Sequence, residues 1–65
     1  MKNDEIAKKI LYATYQKASK KNIAIVIEVL KSESTNKETD ICDALGITRR
    51  WNRAEIRGVL AELNK

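Results

Sequence analysis

Apolar residues recur along the chain in four stretches, and their spacing predicts four helices. In the first, Ile6, Ile10 and Ala13 form one row and Ala7, Leu11, Thr14 and Ala18 the adjacent one. Together they give a helical face over about residues 4–19. Asn3 or Asp4 can cap its start, Lys17, Lys20 and Lys21 suit its negative end, and Asn22 can stop it. Tyr12 and Tyr15 flank the stripe, either covering its edges or meeting a second subunit.

The second stretch, IAIVIEVL from Ile23 to Leu30, is the most apolar in the chain. Its β-branched residues would also suit a strand. It continues into helix-compatible Lys31 and Ser32 and no second strand-like segment exists to pair with it, so a helix buried on most sides is expected. A polar turn follows over 32–36. Thr35 and Glu38 fit a capping box for a third helix, with Ile41, Ala44 and Leu45 facing inward. Gly46 stands where a helix-ending glycine belongs, and Ile47 should return to the core. Cys42 reads as a small helix residue. In the last stretch Ile56, Val59, Leu60 and Leu63 give an i, i+3, i+4, i+7 stripe. Asn52 and Glu55 suggest its N-cap and capping partner, with Trp51 and Ile56 as a hydrophobic staple. Gly58, inside this helix, hints at a close backbone approach.

Composition narrows the function. A chain of 65 residues is at most one domain. It buries only about 60% of its unfolded surface, so it gains from oligomerisation, and a homodimer is a reasonable expectation. No apolar run reaches the roughly 20 residues of a membrane span, and the charged start, MKNDEIAKK, has no signal-peptide core. A cytoplasmic protein with no membrane partner is expected. With no histidine, one cysteine and two glycines, no zinc site, histidine-based catalytic dyad or phosphate loop can be drawn. The expectation is neither an enzyme nor a cofactor protein.

The formal charge of +4 is unevenly spread. Residues 1–21 carry six lysines against two acids, residues 22–47 two lysines against five acids, and residues 48–65 four arginines and a lysine against two acids. Basic ends flank an acidic middle, which points to a polyanionic partner on one surface. All four arginines, Arg49, Arg50, Arg53 and Arg57, fall within nine residues. Arginine's planar fork suits phosphate and base recognition in a way lysine's point charge does not.

The segment DICDALGIT resembles the second helix and turn of the helix-turn-helix superfamily, whose pattern of apolar, small, apolar, Gly, apolar is filled by Ile41, Cys42, Leu45, Gly46 and Ile47. From Ile23 onward the chain resembles the three-helix core of a winged-helix domain, with RAEIRGVLAEL as recognition helix. ALGI followed by Trp-Asn is also similar to small phage and Gram-positive winged-helix proteins of the YjcQ type. These resemblances imply an all-α, four-helix helix-turn-helix domain over residues 1–65, like a winged-helix core without a wing. Residues 1–21 would be an accessory helix and 23–64 the three-helix core. In the tight form of the motif, the core positions of the recognition helix would fall at Asn52 and Glu55. The apolar residues stand four further on, so a connection lengthened by one helical turn is expected.

The function so implied is a DNA-binding regulator of transcription, of phage or plasmid type, that sets its last helix into the major groove of double-stranded DNA. Arg53 and Arg57 would read bases, while Arg49, Arg50 and Asn52 would meet phosphates. The alternative is a helix-turn-helix adaptor that binds no nucleic acid and docks a protein through the acidic middle, Glu28, Glu33, Glu38, Asp40 and Asp43.

Overall fold

The computed structural model describes the backbone of residues 2–63 and the side chains of residues 3–62. The described residues form four helices and no strand: α1 (Lys2–Ala13), α2 (Lys20–Lys31), α3 (Lys37–Leu45) and α4 (Arg50–Leu63). The protein is an all-α, four-helix domain. Each helix packs on its sequence neighbours, and α1 closes the ring against α4, while the backbones of the diagonal pairs, α1 with α3 and α2 with α4, stay apart. The connections 14–19 and 46–49 therefore lie at one end of the molecule and the connection 32–36 at the other.

The core is drawn from all four helices. Ile6, Ala7, Ile10 and Leu11 of α1 are buried with Val26 of α2, Ile41 and Cys42 of α3, Ile47 of the connection that follows and Ile56 of α4. The two rows read from the first stretch are thus its buried face. The helix is no accessory, since it supplies four of the nine buried apolar residues. The second stretch is a helix but is less buried than its composition suggests. Only Val26 is fully covered, while Ile23, Ile27, Val29 and Leu30 are half-buried against the core. A ring of four short helices gives each member two neighbours, so a helix apolar on most sides keeps part of that surface in water.

Helices α1 and α3 end in the same way. At Gly46 (φ 71°) the chain turns left-handed, Gly46 N donates to the Asp43 carbonyl, and Ile47 N donates to the Cys42 carbonyl at 2.8 Å. At Tyr15 (φ 56°) the pattern repeats, with Tyr15 N donating to Tyr12 O at 3.2 Å and Gln16 N to Leu11 O at 2.8 Å. Both are six-to-one and five-to-two closures of the Schellman type. The expected extension of the first helix to Ser19 fails here, because Tyr15 ends it. Thr14 helps, its buried hydroxyl donating to Ile10 O at 2.9 Å and Leu11 O at 3.2 Å. Asn22 does not stop α1. It sits in the first turn of α2 and its side chain donates to Lys17 O at 2.7 Å, while Ser19 caps α2 by accepting from Asn22 N.

The capping box at Thr35 and Glu38 does not form. Asn36 precedes α3 without a side-chain cap bond, and Glu38 turns to α4 instead. Nor is the connection to α4 lengthened by a turn. Only residues 46–49 separate the two helices, because α4 starts at Arg50, two residues before the expected cap. Gly58 meets no close neighbour: a methyl group there would find open space.

Candidate nucleic-acid interface

The two connections at one end of the molecule, each taken with the start of the helix that follows it, share a composition. TYQKASKKN (14–22) and GITRRWNRA (46–54) contain Lys17, Lys20, Lys21, Arg49, Arg50 and Arg53 and not one acid. The fold joins them: the rings of Tyr15 and Trp51 meet edge to face, centroids 5.5 Å apart at an interplanar angle of 62°. Both rings face water, Tyr15 at 84% exposure and Trp51 at 44%, and Tyr12, one turn back on α1, is exposed as well.

Helices α2 and α4 begin at this end, and neither has an acid in its first turn. α2 opens on Lys20 and Lys21, and α4 on Arg50 with Arg53 one turn later. Cations at a helix N-terminus oppose the macrodipole, whose positive pole lies there. The other two helices follow the stabilising rule, with Asp4 and Glu5 opening α1 and Glu38 and Asp40 opening α3. The cationic end therefore carries positive charge where stability alone would favour the opposite sign. Arg49, Arg50, Lys17, Lys20 and Lys21 are exposed and Arg53 is half-buried. Arg49, Arg50 and Arg53 make no ion pair among the described residues.

The five residues expected to contact DNA do not act as one set. Arg49, Arg50 and Arg53 gather at the cationic end. Arg57 points elsewhere: its Nε and Nη2 donate to the two carboxylate oxygens of Glu38 at 3.2 and 3.1 Å. This bidentate pair ties α4 to the first turn of α3, and the bond from Glu38 raises the pKa of Arg57 further. The guanidinium remains open to water (72%), so the pair adds little stability. It does occupy the fork that would face a base.

Asn52 does not cap α4. It is the third helical residue and 7% exposed, and its Oδ1 is buried without a hydrogen-bond partner. It stands at a core position with no phosphate within its reach from solvent. The neighbouring Trp51, expected to staple onto Ile56, is rotated outward to Tyr15. The helix starts three residues earlier than an Asn52 cap implies, at Arg50 rather than Arg53, so residues 51 and 52 both lie inside it, residue 52 turned inward and residue 51 out. Cys42 is buried and its thiol pKa is raised, chiefly by desolvation, with Arg53 opposing and Glu38 and Asp43 adding to the shift. Such a thiol is a packing group rather than a nucleophile.

Two depressions among the described residues lie away from this end. At the far end a groove of about 590 Å³ is lined by polar residues of the 34–38 turn, Arg57 and Leu60. Between α2 and α3 a more open one of about 410 Å³ is lined by Ile25, Val29 and Ala44 together with Glu28, Ser32 and Asp40. Among the described residues no cluster of His, Cys, Asp or Glu could hold a metal ion, and no helix is long and apolar enough to cross a membrane. Comparison of the chain with protein-family models, with curated proteins and with solved structures yields no match.

Proposed function

We propose that this protein is a DNA-binding regulatory module of the helix-turn-helix kind that grips duplex DNA with the first turn of α4 and the connections beside it. The observation that carries the reading is six cations and no acid in two segments that meet through Tyr15 and Trp51, at an end where two helices begin without an acid. Backbone N–H groups of helix starts and unpaired arginines both favour phosphate oxygens. The four-residue connection from α3 to α4, closed by Gly46, supports the same reading. Arg50 and Arg53 lie one turn apart and replace the pair Arg53 and Arg57 as the residues nearest a groove, with Arg49 on the backbone. Asn52 has no part in it.

The test is binding of a random-sequence duplex, followed by fluorescence anisotropy from low to moderate salt. Log K should fall linearly with log salt. Replacing Arg49 and Arg50 by Gln should shrink the slope by about 0.9 for each phosphate contact removed. Absence of binding at low salt contradicts the proposal.

The groove between α2 and α3, lined in part by Glu28 and Asp40, favours a second reading, an adaptor that docks a basic amphipathic segment over Ile25, Val29 and Ala44. A duplex that fails to bind, together with a basic partner lost on Glu28→Lys, would favour it.

A further inference from the structure

We infer that Tyr15 and Trp51 form a stacking platform for unpaired bases, so that the cationic end takes single-stranded DNA in preference to a duplex. The inference rests on the nucleic-acid reading of the cationic end and departs from its duplex: a single strand is the tighter ligand of the same site, and a duplex binds there through phosphate contacts alone. Tyr15 carries the first part of the case. It holds a left-handed φ of 56°, where glycine is at ease and a bulky residue is an outlier. A strained position occupied by an aromatic ring that is 84% exposed is explained neither by backbone preference nor by core packing. What the ring does touch is Trp51, itself open to water.

Charge supplies the second part. Sequence-tolerant binding of single strands combines aromatic faces, on which successive bases stack, with cations that track the backbone. Here each ring belongs to one of the two segments that its contact joins, 14–22 with Lys17, Lys20 and Lys21 and 46–54 with Arg49, Arg50 and Arg53, and neither segment has an acid. In a duplex the base faces are already stacked, and two exposed rings would have nothing to cover. A single strand presents both features that the site matches.

Trp51 is the only tryptophan of the chain, so its emission reports on the platform directly. The probes are a mixed-sequence single-stranded oligonucleotide, the same strand annealed to its complement, and an abasic strand of equal length. The single strand should bind more tightly than the abasic strand by roughly 5- to 150-fold. It should quench Trp51, and the abasic strand should not. Tyr15→Gly removes a ring and the backbone strain together. It should fold at least as stably as the wild type and yet lose most of that preference, whereas Tyr15→Phe should keep it. Equal affinity for the abasic strand with no quenching overturns the platform and leaves phosphate binding standing, as does a duplex preference. Undiminished binding by Tyr15→Gly, with a lower unfolding midpoint, assigns the ring pair to holding α1 against α4. If no strand binds at low salt, the nucleic-acid reading itself fails.

Discussion

At the scale of single residues, Asn52 separates two pictures of α4. As an N-cap it would stabilise the helix, and its loss would cost about 1 kcal/mol. The structure instead buries it with an unpartnered Oδ1, and a buried polar atom left unpaired costs about 1–3 kcal/mol. Asn52→Leu, which keeps the branched shape and heavy-atom count of the side chain though its methyls are bulkier, should therefore raise stability by about 1 kcal/mol, read as a higher urea midpoint with an unchanged slope. A fall of that size would restore Asn52 to the cap. The capping signature was misleading because Asn, Glu and the flanking Trp and Ile satisfy its spacing. A start three residues earlier satisfies the core equally well, since Ile56 is buried in either register. The pairing of Tyr15 with Trp51 spans two connections and left no mark in local spacing. The one available signal was that two acid-free, lysine- and arginine-rich segments each carry an aromatic.

At the scale of elements, glycine and tyrosine perform the same closing turn at different cost. Gly46 takes its left-handed φ without penalty, while a side chain there pays roughly 1–2 kcal/mol even where space is open, as it is at Gly46. Gly58 has the same open space but lies in a helix interior, where Ala is better by roughly 1 kcal/mol. Gly46→Ala should lower and Gly58→Ala should raise thermal stability, a contrast of opposite sign that calorimetry can read in one pair of variants. The helices themselves were legible from periodicity, most plainly the paired rows of α1, the Gly46 and Ile47 ending of α3 and the Ile56 stripe of α4. Their boundaries were less so. α1 stops at Tyr15, a residue no turn rule singles out, and the cap of α3 depends on whether Glu38 serves its own helix or Arg57 nineteen residues away. The degree of burial of α2 was not legible either, since periodicity describes a helix and not how many neighbours surround it.

At the scale of the whole molecule, the ring of four helices sorts charge by end. Connections 14–19 and 46–49, with the starts of α2 and α4, bring cations and aromatic rings together, while at the opposite end Glu38 holds Arg57 and, with Asp40, answers the dipole of α3. Uneven charge between chain segments was visible in the sequence. That the basic segments converge, and that Arg57 leaves the cluster, required the fold. A short chain with a small core keeps two helix starts electrostatically unfavourable, a local conflict of the kind functional sites impose. The most direct measurement is residue-resolved: amide chemical shifts of the labelled chain, titrated at low salt with a short DNA strand and with its duplex. Perturbations should centre on residues 15–21 and 48–54 and leave the groove around Glu38 and Arg57 unmoved. Shifts confined to that groove or to the α2–α3 depression, or none with either form of DNA, would contradict a nucleic-acid site at the cationic end.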